Sequence, residues 1–433
     1  MKPQLLVDLF CGAGGTSTGM LQAARRLRRC VKLTAVNHWD TAINSHSLNH
    51  PSVTHLCQTV ESIWPRNVIP GRYLRLLAAS CECTFHSNAR GGGPCNEQSR
   101  SQPHQILRWL TDLIVDDLLM ENVPEFVNWG PLLIKGIRFQ GRYYKKDCPD
   151  PRYKGVYFQA FIKSIKDLGY SVEWKIQTAA DFGDPTSRRR FILMARRNGK
   201  AIVWPKPTHG PGRRCPHQAA RGCIDFSLVS KTIFTGNQAK PFRHCPNTIR
   251  RIAGGLKKFG GAHAEPFLMV LRGTAERQLD NSQSLNEPLP TITGSGAHLC
   301  LVESFLVQTD QQGSNGDCAS SVDAPIKTIV TKQNMLLVQM LMKYYATGIC
   351  QSLDAPLDTV TTKDRFLLVE ADQIPGYGVD VRTRLLQPHE LAAAHSFPRH
   401  YIFTGSKEDQ TMQIGNSVPV KLAEAHAFAL LRN

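Results

Sequence analysis

The chain has 433 residues, 42% of them hydrophobic, which is enough for a large core and for two domains. Its 52 Lys and Arg outnumber 35 Asp and Glu, and the resulting charge of +17 favours a polyanionic partner, nucleic acid before any other. No apolar run is long enough to span a bilayer, no secretory leader precedes the first strand, and the 13 cysteines lack the spacing of a small disulfide-framed domain. The expectation is a reduced, cytoplasmic compartment with free thiols and no membrane contact.

The first element is an apolar run, Leu5 to Val7, that ends in Asp8-Leu9-Phe10-Cys11-Gly12-Ala13-Gly14-Gly15. Beyond the glycines, Met20, Leu21, Ala24 and Leu27 recur at helical spacing. This predicts a strand, a tight turn and a helix. Glycines in such a turn let a bulky ligand reach the main chain, and turns of this kind serve nucleotides, phosphates and S-adenosylmethionine alike. Thr34-Ala35-Val36 and Leu74 to Ala79 read as further strands. Ile106 to Leu113 reads as a helix, Leu118-Leu119-Met120 as a strand, Phe158 to Leu168 as a helix and Phe191 to Met194 as a strand. Strands alternating with helices predict an α/β domain over residues 1–197: a Rossmann-like, mostly parallel sheet with helices on both faces. Its ligands belong at the carboxyl ends of the strands.

The pattern changes after Asn198, where Pro205-Lys206-Pro207 and Gly210-Pro211-Gly212 read as a linker. A repeat follows. Ser284-Leu285-Asn286-Glu287-Pro288-Leu289-Pro290-Thr291-Ile292 returns at Ser321 to Ile329 and again at Ser352 to Val360. Each copy precedes an apolar run: Leu299 to Val302, Leu336 to Val338 and Phe366 to Val369. Residues 198–380 are therefore expected to form a smaller, strand-rich domain of turn-strand units, a structural repeat or a DNA-reading platform. Helical patterning returns with Glu390 to Ala394, a glycine-containing turn over Gln413 to Val420 and a final helix over Lys421 to Leu431. Residues 381–433 are expected to complete the first domain.

Three strand ends carry chemistry. Cys83 follows the Leu74 to Ala79 strand within Ser80-Cys81-Glu82-Cys83-Thr84-Phe85-His86-Ser87, ahead of Gly91-Gly92-Gly93-Pro94. Arg90 and Arg100 favour its thiolate and Glu82 opposes it. Cys81, Cys83, His86 and Cys95 could alternatively ligate zinc, although their spacing fits no common zinc pattern, and no metal is expected. A buried, inert cysteine is the other reading. Glu121-Asn122-Val123-Pro124 ends the next strand, so its carboxylate can face the same cleft. In Arg188-Arg189-Arg190, strand alternation sends Arg188 and Arg190 one way and Arg189 the other, unless the three form a solvated basic cluster.

Taken in order, these segments resemble the motifs of the DNA cytosine-5 methyltransferases. The glycine segment, with Phe10, Gly12, Gly14 and Gly15, resembles the first motif, and Asn37-His38-Trp39-Asp40 resembles the second. Ser80 to Ser87 resembles the nucleophile loop, Glu121-Asn122-Val123 matches the Glu-Asn-Val motif, and Pro185 to Arg190 resembles the arginine motif. Arg384-x-Leu386, Glu390 and Phe397-Pro398 resemble the ninth motif, and Gln413 to Pro419 the tenth. The likeness covers residues 5–200 and 380–433, so the intervening region falls where this family keeps its target-recognition domain. The sequence departs at Glu82 and Thr84, where proline and glutamine are usual, and at His38 and Thr59, where acidic residues hold the cofactor ribose and adenine. It departs again at Ala393 to Ser396 in the ninth motif.

The resemblance implies transfer of a methyl group from S-adenosyl-L-methionine to C5 of a flipped cytosine in double-stranded DNA. Cys83 is then the nucleophile at C6, Glu121 the group at N3, and Arg190 the holder of the base O2 with Arg188 beside it. Phe10, Gly12, Gly14, Gly15, His38, Trp39, Thr59 and Asn416 are the implied cofactor residues. The same likeness implies a monomer in a prokaryotic or phage-infected cell, with a cognate restriction endonuclease as a partner. An RNA cytosine-5 methyltransferase and a DNA-binding relative without activity are the alternatives.

Overall fold

The computed structural model describes residues 2–81, 102–197, 199–229, 231–233, 243, 249, 267–270, 282–290, 299–308, 319–321, 340–343, 350–351, 366–369 and 377–432. The chain divides into two compact units. The first holds Met1–Cys223, Glu287–Gly296 and Pro388–Asn433, and the second holds Ile224–Asn286 and Ala297–Gln387.

The first unit is built on a seven-stranded sheet. In chain order its strands are β1 (Gln4–Leu9), β2 (Val31–Asn37), β3 (Thr54–Cys57), β4 (Tyr73–Ala79) and β5 (Ile114–Asn122). A small hairpin, β6 (Ile137–Phe139) and β7 (Arg142–Tyr144), stands apart, and β8 (Tyr170–Thr178) and β9 (Arg189–Arg197) return to the main sheet. The spatial order is β3-β2-β1-β4-β5-β9-β8. The first five strands run parallel, and β9 is antiparallel to both of its neighbours. The sheet is thus mostly parallel, as its sequence pattern predicts, with one reversed strand.

Helices α1 (Gly15–Arg26), α2 (Asp40–Asn49), α3 (Pro65–Val68), α4 (Pro103–Asp112) and α5 (Val156–Asp167) link the strands. Those covering the sheet leave two hydrophobic layers. Val7, Leu9, Leu77, Leu118 and Met120 face a layer that contains Trp109, Phe158 and Phe161. Leu6, Leu76, Leu119 and Ile192 face the other, which contains Met20, Ala23, Leu422 and Leu430. Alternate residues of one strand feed opposite layers, as the pleat requires. Helices α6 (Pro388–Ala394), α7 (Lys407–Asn416) and α8 (Val420–Arg432) complete the unit from the far end of the chain.

The joint between the two chain ends is unusually close. A Cβ at Gly15 would lie 2.2 Å from the Val418 carbonyl oxygen, and one at Gly19 would lie 2.6 Å from the Glu424 nitrogen. Only glycine fits where α1 and α8 approach at that distance. Asp184 caps α8, accepting from the Leu422 amide at 2.9 Å and the Lys421 amide at 3.2 Å. Helix α7 runs through Asn416, so the expected turn over Gln413 to Val420 is confined to Ser417–Pro419. Ser406 and Asp409 form a capping box that starts this helix.

The second unit is described through its strands. Strands β10 (Lys231–Thr232), β11 (Phe267–Val270), β12 (Ser282–Ser284), β13 (Leu299–Gln308), β14 (Ala319–Ser321) and β18 (Tyr377–Leu385) make one antiparallel sheet. Strands β15 (Met340–Lys343), β16 (Cys350–Gln351) and β17 (Phe366–Val369) make another. The repeat-associated runs beginning at Leu299 and Phe366 are strands, whereas the run from Leu336 to Val338 lies outside the described residues. The first repeat copy contributes to the first unit. Leu289 bonds to the arginine-motif segment, its amide to the Pro185 carbonyl at 2.8 Å and its carbonyl to the Ser187 amide at 2.6 Å.

A charge cluster lies under the parallel sheet. Asp117 on β5 pairs with Arg75 on β4 and with Arg196 on β9 at 2.9 Å, and all three side chains are at most 7% exposed. Arg75 also donates to the Leu430 carbonyl of α8 at 2.7 Å. Replacing Asp117 with Ala leaves two buried guanidinium groups without their counter-ion. The expected result is a loss of about 3–5 kcal/mol of unfolding free energy in urea titration.

Candidate active site

Loops at the carboxyl edge of the sheet are tied side by side. The Cys11 amide donates to the Val36 carbonyl at 3.1 Å, the Gln58 amide to Asn37 at 3.0 Å and the Ser80 amide to Leu9 at 3.2 Å. These bonds bring the loops after β1, β2, β3 and β4 into one row. Phe10 sits there with φ 59, a left-handed conformation that costs a bulky residue roughly 1–3 kcal/mol. Its ring packs against the core layer under β1. The Trp39 amide donates to Asn37 Oδ1 at 2.8 Å, which fixes the start of α2. His38 and Thr59 are exposed, as is Asn416 at the end of α7, two residues before the Val418 that abuts Gly15.

The glycines divide into two kinds. A Cβ at Gly12 would meet nothing within 4 Å, whereas one at Gly14 would lie 2.6 Å from the Tyr401 hydroxyl. Gly12 therefore presents open main chain to a ligand, while Gly14 and Gly15 are shaped by protein packing. An adenosyl cofactor fits this edge. It offers half-buried backbone at Gly12, partly buried aromatic residues at Phe10 and Trp39, and exposed polar groups at His38 and Thr59.

Under the glycine loop lies a set of residues that no sequence motif announces. Tyr401 donates to the Ala13 carbonyl, and Thr18 donates to the Gly14 carbonyl at 2.7 Å. Thr18 also contacts His50 at 2.9 Å, and the rings of His46 and His55 meet at 2.8 Å. Burial holds the imidazole of His50 down to about 4, helped by His55 and Arg25. Burial and both neighbouring histidines lower His46 as well. The cluster is thus neutral at pH 7, and it acts as packing and hydrogen-bonding support for the loop. Asp8, at the end of β1, accepts from Ser17 at 2.6 Å, and burial pushes its carboxyl up to about 7.

The second part of the edge is charged. Arg190 Nε lies 2.8 Å from Glu121 Oε1, with side chains 7% and 12% exposed. Burial raises the Glu121 carboxyl above its ordinary value, while Arg190 and Arg188 hold the rise in check. Arg188 and Arg190 are buried and Arg189 is exposed, which is the alternation expected of the motif. Arg188 donates to the Gly415 carbonyl at 2.8 Å and so ties the start of β9 to the end of α7. Asn122 is turned inward. It donates to the Cys81 carbonyl at 3.4 Å, linking the end of β5 to the segment that leads to Cys83. Phe126 follows, stacked on Trp129 at 5.5 Å and edge-on to Phe191 at 5.3 Å, which stiffens the chain beyond Glu121. Cys81 is buried, and Cys83, His86 and Cys95 lie outside the described residues.

The α/β sheet, with a glycine loop at one strand end and a buried Glu–Arg pair two strands away, has the Rossmann-like fold of the methyltransferases. The family profile of the C-5 cytosine-specific DNA methylases matches residues 151–432, and the chain belongs to that family. It is similar to the type II methyltransferase M.AquIA of Picosynechococcus, 25% identical over 256 residues that cover 56% of this chain and 87% of that one. It is similar over nearly its whole length to the type II methyltransferase M1.HphI of Haemophilus parahaemolyticus, 23% identical over 434 residues covering 98% of this chain and 86% of the other. Among solved structures it shares its fold with a DNMT2 variant from Spodoptera frugiperda, at 15% identity, a TM-score of 0.54 and 99% coverage of both chains. Among the described residues no helix is long and apolar enough to cross a membrane.

The histidine support has a pH consequence. The folded His50 binds its proton near 4 and the unfolded one near 6.5, so the unfolded chain takes up the proton first as pH falls. This contribution to stability is complete above pH 6.5 and is lost between there and about 4, to a total of roughly 3 kcal/mol. The thermal midpoint should fall across that window. His50→Gln, which keeps a hydrogen-bonding group beside Thr18, should make the fall shallower.

Proposed function

We propose that this protein transfers a methyl group from S-adenosylmethionine to C5 of a cytosine in double-stranded DNA, by way of a covalent bond between Cys83 and C6. The observation that supports this reading best is the pairing of Glu121 with Arg190 at 2.8 Å, at a strand end that Asn122 ties to the Cys81 segment. Burial raises the Glu121 carboxyl above its ordinary value, so it holds a proton more readily than an exposed carboxyl does. An arginine beside it can hold a carbonyl oxygen. Together they match the N3 and O2 edge of a cytosine.

C5 of cytosine is a weak nucleophile, and attack at C6 makes it enamine-like. In the proposed sequence the Cys83 thiolate forms a bond to C6 while Glu121 gives a proton to N3. Arg190, with Arg188 behind it, holds O2 as electron density moves into the ring. When bound, S-adenosylmethionine supplies an electrophilic methyl group on its sulfonium. C5 takes up that group, the C5 proton leaves to solvent, and the Cys83–C6 bond breaks as N3 returns its proton. Phe10 and Trp39 would pack on the cofactor, Gly12 would admit it to the main chain, and Gly14 and Gly15 would shape the turn. His38 and Thr59 would meet its ribose and adenine, and Asn416 would close the pocket.

The target base has to leave the stack before C6 is accessible, at a cost of a few kcal/mol. The excess of 52 Lys and Arg over 35 Asp and Glu supports phosphate contacts that offset this cost. The second, strand-rich unit is proposed as the reader of the target sequence. The type II relatives support a role beside a restriction endonuclease, with this chain acting as a monomer.

Cys83→Ser should abolish methyl transfer and leave duplex binding intact, and the unmodified protein should form a covalent complex with DNA containing 5-fluorocytosine. Normal turnover by Cys83→Ser would overturn the nucleophile. Tritiated methyl incorporation into duplex DNA, with tRNA as the parallel substrate, tests the choice of nucleic acid, and label in tRNA alone would overturn it. Gly12→Asn, a residue that tolerates the left-handed backbone at Gly12 (φ 52), should keep the fold and lose heat of binding with S-adenosylmethionine in calorimetry.

A further inference from the structure

Behind Glu121 lies a cavity of about 10 Å³, the volume that one water molecule needs. Thr16, Ser80, Glu121 and His426 are the lining residues with polar side chains, and Leu119, Ile192, Val418 and Ala423 complete a mostly apolar wall. His426 is fully buried on α8, 5.2 Å from the ring of Phe182 and 5.8 Å from that of Trp204. Its Nδ1 lies 2.8 Å from the Leu422 carbonyl oxygen one turn earlier. A carbonyl only accepts, so Nδ1 carries the hydrogen. Burial lowers this imidazole to about 4, so the ring is neutral and Nε2 holds a lone pair. Among the described residues Nε2 has no hydrogen-bond partner. A buried acceptor left in that state costs roughly 1–3 kcal/mol.

We propose that His426 is a positioning residue for Glu121, acting through one ordered water that bridges His426 Nε2 to the Glu121 carboxyl group. The inference rests on the reading of Glu121 as the group that meets N3. Nε2 can only accept, so it takes one hydrogen of the water. The hydroxyls of Thr16 and Ser80 are hydrogen-bonded to each other at 3.4 Å, so one donates within the pair and the other keeps its hydrogen for the water oxygen. The second hydrogen of the water is then directed at Glu121. The carboxyl group receives donors from inside the protein, from the water and from Arg190, and its own proton is left on the oxygen free to face the base. Water in the opposite orientation would accept that proton and remove it from the base.

The test uses the full chain with DNA and S-adenosylmethionine. His426→Phe keeps a ring against Phe182 and Trp204 and removes the acceptor, while His426→Gln keeps an acceptor in similar volume. His426→Phe should lower kcat about tenfold, the loss of one hydrogen bond to the reacting carboxyl group, with KM for DNA and cofactor unchanged. His426→Gln should recover most of the rate, and a high-resolution crystal structure should contain a water at Nε2. A kcat for His426→Phe equal to that of the unmodified protein overturns the role of His426, and so does a cavity without that water. Equal losses in both variants point to packing alone and overturn it as well. If the unmodified protein labels no cytosine, the reading of Glu121 itself fails and this role falls with it.

Discussion

The first helix and the last meet backbone to backbone, and the rest of the first unit depends on that contact. Gly15 and Gly19 have no room for a side chain because Val418 and Glu424 occupy it. The glycine loop consequently begins its helix against residues that arrive some four hundred positions later. The same approach brings Gly415 to Arg188 and Leu430 to Arg75, so both arginines have a main-chain carbonyl to satisfy. Burying a guanidinium is expensive without such partners. The two-ended domain is therefore held by a steric fit at the glycines and an electrostatic fit at the arginines.

The strand edge combines two environments. At the glycine-loop end the supports are neutral: a tyrosine, a threonine and three histidines kept unprotonated by burial. At the Glu121 end they are charged, with Glu121 set between its own desolvation and two guanidinium groups. This division would suit the proposed reaction, in which a sulfonium approaches one side and a proton is held on the other. A cation would be repelled by protonated histidines under the loop, whereas a neutral cluster adds no such field.

Much of this was legible in the sequence because it depended on local rules. Alternation alone separates Arg188 and Arg190 from Arg189, and apolar runs mark β1, β4 and β9. The closing helix, expected over Lys421 to Leu431, spans Val420–Arg432. What escaped were features whose partners lie far apart in the chain. Asp117, Arg75 and Arg196 stand within apolar strands and read as interruptions until the sheet brings them together. Strand β8, with Glu173, Trp174 and Lys175 exposed along its middle, carries no clean alternation because it is an edge. The reversal of β9 is equally silent, since residue type does not encode strand direction. Tyr401 and His50 lie in no motif, and only the fold sets them under Gly14.

The late completion of the sheet has a bearing on synthesis. As the polypeptide leaves the ribosome, Leu6, Leu76, Leu119 and Ile192 can pair into strands long before Leu422 and Leu430 exist to cover them. Until α8 has been made, only the part of that face under α1 is covered. The nascent protein thus exposes apolar surface over that interval, and a stop codon anywhere before α8 would make the exposure permanent.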